Sequence, residues 1–302
     1  MSALKTYRGN CHCASLVYEI SLPATDKVTE CNCSVCVKKG AVFVWPELSK
    51  ITYVKGDPAK DLRDYRFNDG SWTHKFCPTC GVSVMLVGYM TKPKDGEEKE
   101  PDVAFNVRTF QHGQLDLWTI DSEVFDGASL PPVYEAPKYK GPEPTPTVDV
   151  GPDAKLYTGS CHCGAVTLAL KSKPLDKDYG KRVTECNCSS CGRYGAIWAY
   201  PHTSQVAIEG KDKLSGYVFN NKGARKLFCK LCGVVLAQEC VPLSEAELAE
   251  KEENFRRWFE SAKDLTAVNL RVLNDESFDV KKSVEVERFD GYNFLKGSYV
   301  EP

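Results

Sequence analysis

The sequence predicts a mainly β protein made of two tandem copies of one domain, with a single helical insertion in the second copy. Three observations point there: an internal repeat spanning both halves, short runs of strand-forming residues, and cysteines that recur in one pattern in each half. The 302 residues suffice for two domains of ordinary size. With 42% hydrophobic and 26% charged residues, the composition excludes a wholly disordered or collagen-like chain.

The repeat runs through six blocks in one order. YRGNCHCASLVYEISL (7–22) is matched by YTGSCHCGAVTLALKS (157–172), and VTECNCSVCVKKGAVFVWP (28–46) by VTECNCSSCGRYGAIWAYP (183–201). LRDYRFN (62–68) pairs with LSGYVFN (214–220), and KFCPTCGVSV (75–84) with LFCKLCGVVL (227–236). FNVRTF (105–110) pairs with VNLRVL (268–273), and VFDG (124–127) with RFDG (288–291). Only two units, each of domain size, mean tandem domains rather than a solenoid. The expected boundaries are 1–130 for the first domain, 131–155 for a connector and 156–302 for the second domain. The connector holds seven of the chain's 17 prolines. Proline fixes φ and removes a donor, so this segment is an extended, semi-rigid spacer or else a strap along a domain surface.

In chain order, SLVYEISL, AVFVWP, ITYVKG and VSVMLVGYM are strands of the first copy, and VTLALKS, AIWAYP and KSVEVERF strands of the second. All are short, rich in β-branched and aromatic residues, and bounded by Gly, Pro, Asp and Asn. One helix is expected over 243–263, LSEAELAEKEENFRRWFESAK, where Ser244 and Glu247 form a capping box. Leu248, Phe255, Trp258, Phe259 and Ala262 share one side of it. The first copy has only YMTKPKDGEEKEPDV in that place, so the helix is an insertion. It either walls the cysteine site of the second copy or covers an exposed sheet edge.

The 39 basic and 41 acidic residues leave a net charge of −2. Such a balance supplies no basic field for nucleic acid or an anionic membrane. The longest apolar runs fall far short of the ~20 residues of a membrane helix, and MSALKTYRGNCHC has no apolar signal core. The expected location is the cytoplasm, with the nucleus left open.

Fifteen cysteines, an odd number in a chain with no signal sequence, argue for metal rather than a disulfide framework. Each copy contains C-x-C, then C-x-C-x-x-C, then C-x-x-C. These are Cys11/Cys13, Cys31/Cys33/Cys36 and Cys77/Cys80 in the first copy, and Cys161/Cys163, Cys186/Cys188/Cys191 and Cys229/Cys232 in the second. A C-x-x-C on a tight turn, closed by Gly81 or Gly233, points both sulfurs at one ion, and cysteines at i and i+2 of an extended strand share a face. Seven ligands divide as four plus three: a closed four-sulfur zinc site is structural, whereas three protein ligands leave an open position. Up to two zinc ions per domain follow. Iron–sulfur ligation and two purely structural zincs stand as alternatives; the spacings match neither common ferredoxin run. His12 and His162 are expected to pack or face solvent rather than ligate, and the leftover Cys240 to be a buried apolar residue.

CHCGAV, CNCSSC and FCKLCG in the second copy resemble the glutathione-dependent formaldehyde-activating enzyme family, which includes the centromere protein V type. The resemblance spans nearly the whole chain twice, the connector and the inserted helix excepted. It implies two tandem Mss4-like zinc-binding β-sandwich domains and carbon–sulfur lyase activity of the S-(hydroxymethyl)glutathione synthase kind. It also implies that Cys11, Cys13, Cys77 and Cys80, like Cys161, Cys163, Cys229 and Cys232, are structural ligands. Cys31, Cys33 and Cys36, and Cys186, Cys188 and Cys191, are then the open-site, catalytic ligands. The first copy departs from the family pattern at Ala14-Ser15, where a glycine and a small residue are usual.

The expected partners are glutathione or another small thiol and a small carbonyl compound such as formaldehyde; membrane and nucleic acid are not expected. A zinc-stabilised binding module, or a glutathione carrier without turnover, is the competing class. Three thiolates and Zn²⁺ sum to −1, so cations beside the triplets would favour a bound thiolate. Lys38, Lys39 and Arg193 follow the triplets, with the lysines expected to be solvated. Arg108 and Arg271, at matching places, are the candidate cofactor-binding cations, each equally readable as a solvated charge.

Overall fold

Alternation sets the first strands: along Val17–Pro23, Tyr18, Ile20 and Leu22 are buried while Glu19 and Ser21 are half-exposed. A computed structural model describes residues 3–302 apart from 69, 95–96, 220–221, 276 and 296–298. Asn220, which closes the LSGYVFN block, therefore lies outside the described residues. The first half contains β1 (Leu4–Asn10), β2 (Val17–Pro23), β3 (Lys27–Cys31), α1 (Ser34–Lys39), β4 (Val42–Val44) and β5 (Ile51–Lys55). It continues with β6 (Arg63–Tyr65), β7 (Trp72–Phe76), β8 (Ser83–Gly88), β9 (Asp102–Asn106) and β10 (Asp121–Phe125). The order β1-β2-β5 makes a three-stranded sheet, and β10-β3-β4-β9-β8-β7-β6 a seven-stranded one. Tyr18 of the small sheet meets Phe105 of the large sheet at 4.3 Å between ring centroids, so apolar side chains of the two sheets pack on one another.

The second half repeats this plan with β11 (Lys155–Ser160), β12 (Thr167–Ser172), β13 (Val183–Cys186), α2 (Ser189–Tyr194), β14 (Ile197–Ala199) and β15 (Val206–Glu209). Then come β16 (Leu214–Val218), β17 (Ala224–Cys229), β18 (Val235–Cys240), α3 (Glu245–Ala249), α4 (Glu253–Ala262), β19 (Thr266–Asn269), α5 (Val280–Ser283), β20 (Glu287–Phe289) and α6 (Gly291–Phe294). Its sheets run β11-β12-β15 and β16-β17-β18-β19-β14-β13-β20, the same order as in the first half. Tyr157 and Leu170 of the small sheet share a core with Val183, Ile197 and Ala199 of the large one. Contacts group the chain into one unit of residues 1–135, 188–195 and 300–302, and a second of 136–187 and 196–299. The protein is mainly β, as the strand-like runs predict.

Three local expectations change. The run KSVEVERF is a strand only at its end, β20, and its first two residues close the helix α5. The helix predicted over 243–263 is two helices, α3 and α4. The Ser244–Glu247 capping box forms as expected, but the chain breaks at 250–252, where acidic residues end the first helix and α4 carries the aromatic side separately. Phe255 and Trp258 crowd over Gly223, where a Cβ would meet their ring atoms at 2.6 and 2.7 Å. That seats the insertion against the residue that leads into β17. The proline-rich connector carries no regular element over 131–154. Within the second unit it is held as a strap: Asn274 donates to the Pro137 carbonyl at 3.1 Å, Thr147 N to Ser204 Oγ at 2.9 Å, and Lys171 pairs with Glu143 at 2.5 Å.

Candidate metal centres

Two tight backbone turns build each four-cysteine cluster. β1 ends at Asn10, and Cys11 to Ala14 form a turn, with Cys11 N donating to Leu16 O at 3.2 Å and Ala14 N to Cys11 O at 2.9 Å. The C-x-C pairs thus sit on turns, not on the extended strand their spacing suggested, because two sulfurs converge on one ion only if the chain curls around it. The C-x-x-C turn follows β7, whose pairing shifts register at Lys75/Phe76 just before Cys77. Such an irregularity re-aims the chain, and Gly81, at φ +74°, closes the turn onto the Cys77 carbonyl at 2.8 Å. The second half repeats each feature: a register shift at Leu227/Phe228, Gly233 at φ +75°, and the Gly233 N to Cys229 O bond at 2.8 Å.

These turns bring Cys11, Cys13, Cys77 and Cys80 together, and likewise Cys161, Cys163, Cys229 and Cys232, with every sulfur of a set within 4.8 Å of the others. Cys13 Sγ lies 3.7 Å from Cys11 Sγ and 3.5 Å from Cys77 Sγ; Cys163 Sγ lies 3.5 Å from Cys161 Sγ and 3.7 Å from Cys229 Sγ. A tetrahedron with Zn–S bonds of about 2.3 Å has edges of about 3.8 Å, so the donors present fit a tetrahedral zinc. Backbone amides back the sulfurs: Leu16 N faces Cys11 Sγ at 3.4 Å and Val166 N faces Cys161 Sγ at 3.3 Å. Sulfur neighbours hold Cys13 far below the usual thiol range, Cys11 foremost, and push Cys11 far above it.

The three-cysteine clusters form where a strand turns into a short helix. Cys31 ends β3, Cys33 caps the N-terminus of α1, and Cys36 lies within α1; Cys186, Cys188 and Cys191 repeat this around β13 and α2. Each set of three sulfurs also lies within 4.8 Å. Among the described residues, no histidine or carboxylate joins either set, so both are three-donor sites. Cys31 is pulled down to about 3 by the hydrogen bond from Cys33, and Cys33 is pushed up to about 11 by Cys31. Cys31 and Cys33 are half-buried, whereas Cys186, Cys188 and Cys191 are all buried.

His12 and His162 are buried, 2% and 3% exposed, and belong to neither set, in line with a packing role. Lys38 and Lys39 are buried rather than solvated, 5% and 3% exposed, because the last turn of α1 packs inward. The Lys39 ammonium lies 5.5 Å from the Phe76 ring centroid and 5.8 Å from that of Tyr65. Arg193 is buried and pairs with Glu301 at 2.6 Å. Cys240 is half-exposed at the end of β18, not buried as expected. Arg108 donates through Nε to the Gly40 carbonyl, and Arg271 is buried.

One structural pair was not singled out from the sequence. Asn106 Oδ1 accepts from Val42 N at 3.2 Å and Arg108 N at 3.3 Å, and its Nδ2 donates to Ser83 O at 2.9 Å. Asn269 makes the same three bonds to Ile197, Arg271 and Val235. The available signal was the repeated FNVR/VNLR block.

The family model described as glutathione-dependent formaldehyde-activating enzyme matches residues 6–99 and 156–250. A crystal structure of a Rhodobacter sphaeroides protein matches 43% of this chain and 99% of its own at 25% identity, with a TM-score of 0.30.

Proposed function

Because the chain belongs to the glutathione-dependent formaldehyde-activating enzyme family, we propose that it is a zinc-dependent carbon–sulfur lyase acting on adducts of glutathione with a small carbonyl compound, formaldehyde first. The observation that supports this is the pairing, in each half, of a four-sulfur set with a separate three-sulfur set. Four protein sulfurs complete a tetrahedron; three leave one position for a substrate sulfur.

Cys11, Cys13, Cys77 and Cys80, and their counterparts Cys161, Cys163, Cys229 and Cys232, hold structural zinc in this proposal. Cys31, Cys33 and Cys36, and Cys186, Cys188 and Cys191, hold the catalytic one. Zinc bound there supplies Lewis acidity that favours the thiolate form of a substrate thiol. The protein positions the thiol against the carbonyl: a carbon–sulfur bond forms, and the thiol proton ends on the former carbonyl oxygen. The reverse step breaks that bond and returns thiol and aldehyde. Arg108 and Arg271, each within an asparagine-capped turn at matching places, are proposed to meet the anionic part of the thiol. A site that depends on reduced thiols suits a reducing compartment such as the cytoplasm.

Zinc content and glutathione binding measured on one sample test this. Four zincs per chain, two released readily to a chelator, with glutathione bound and adduct exchange accelerated, is the expected result. Two zincs even after zinc supplementation, or four without glutathione binding, would overturn it in favour of a zinc-stabilised binding module. Glutathione bound without accelerated exchange would mark a carrier.

A further inference from the structure

Among the described strands, each half has one parallel pair, and it ends at the three-cysteine cluster. β10 runs beside β3 with Phe125 opposite Cys31, and β20 runs beside β13 with Phe289 opposite Cys186. The chain then turns through Asp126-Gly127 or Asp290-Gly291, with the aspartates in nearly one conformation, φ −80° and ψ 68° against φ −75° and ψ 70°. The asparagine between the first two cysteines of the triplet grips this turn with both ends of its amide. Asn32 Nδ2 donates to Asp126 Oδ1 at 2.8 Å, and its Oδ1 accepts from Ala128 N at 2.8 Å. Asn187 Nδ2 donates to Asp290 Oδ1 at 3.0 Å, and its Oδ1 accepts from Tyr292 N at 2.9 Å.

Gly127 then passes so close to the cluster that a Cβ on it would lie 2.6 Å from Cys31 Sγ and 3.0 Å from Cys33 Cβ. No side chain fits there unless the sulfur moves. The FDG turns also lie beyond residues 6–99 and 156–250, the stretches matched by the family model, so the clasp joins a matched segment to an unmatched one.

We propose that this Asn–Asp–Gly clasp is a positioning element of the three-cysteine centres: it sets the direction of the first sulfur and thereby the metal affinity of those centres, leaving the four-cysteine centres untouched. This rests on the three-cysteine sets being metal sites. Outer-shell partners of metal ligands act in this way, and their loss costs about 10- to 100-fold in metal affinity.

The test uses the full chain with Gly127→Ala, which pushes on Cys31 Sγ, and Asn32→Ala, which removes both clasp bonds. Zinc release to a graded chelator and the thiolate-to-metal absorption of the cobalt-loaded protein are read, with the unaltered second copy as internal reference. The expected result is four ions in the wild type and one of the two labile ions held about 10- to 100-fold more weakly in each variant, with an altered cobalt band and unchanged thermal unfolding. Four ions released as in the wild type, with an unchanged cobalt band, would overturn this inference alone. Loss of a tightly held ion, or unfolding in both variants, would make the clasp a fold element and overturn it too. A wild type that holds only two ions overturns the metal assignment of the three-cysteine sets, and this inference with it.

Discussion

Arg108 donates through Nε to the carbonyl of Gly40, the left-handed residue that ends the helix carrying Cys36. The bond ties the strand-to-turn segment after β9 to the back of the three-cysteine cluster. It places a cation at the carbonyl end of that helix, where a positive charge is favourable.

Replacing Arg108 by Ala leaves the Gly40 carbonyl without that donor. A loss of about 1–2 kcal/mol is expected, together with weaker glutathione binding. Arg108→Lys keeps the charge but not the planar fork, so it should recover part of the binding and little of the stability. Urea unfolding and calorimetric titration check both, and an Arg108→Ala protein as stable as the wild type would contradict the role given to this bond.

The four-cysteine clusters join the start of each half to its middle. Removing Cys77 or Cys229 should unfold its own half, because the binding free energy of a structural zinc, about 10–16 kcal/mol in small zinc domains, is folding free energy. Limited proteolysis and calorimetry of Cys229→Ser should show the second half lost. A soluble variant with unchanged thermal unfolding would sink the structural assignment.

Ala14 occupies φ +56° where its counterpart Gly164 has φ +77°. The departure from the family pattern therefore leaves the turn intact and loads it with strain, since a left-handed residue with a Cβ costs about 1–2 kcal/mol. Part of that is offset by the greater freedom of glycine when unfolded. Ala14→Gly should stabilise the first copy by about 0.5–1 kcal/mol, read as a raised midpoint in urea. A lowered midpoint would show that the strain is absorbed elsewhere.

The second copy is proposed to have the tighter thiol site, because its triplet is buried while Cys31 and Cys33 are half-exposed. Excluding water strengthens electrostatic contacts to a bound anion. Cys188→Ser should therefore reduce glutathione binding and adduct exchange more than Cys33→Ser does. The opposite order would assign the work to the first copy.

Spacing and repetition in the sequence alone determined the two-copy plan, the mainly β character, and the grouping of fourteen cysteines into sets of four and three. Those properties are local or are copied within the chain, so they need no knowledge of what lies across a sheet. The capping box at Ser244 belongs with them, being a contact over three residues. Only the tertiary structure decided what long-range packing controls. Lys38 and Lys39 are buried because the last turn of α1 faces inward, which their charge conceals. The inserted segment is seated on Gly223 because the aromatic side of α4 packs there. Asn32 grips Asp126 because a parallel strand returns from 94 residues further along the chain. That repeated FDG turn was visible in the sequence as a match, but Gly127 passes so near the cluster that a Cβ on it would lie 2.6 Å from Cys31 Sγ, which no pattern of residues along one chain encodes.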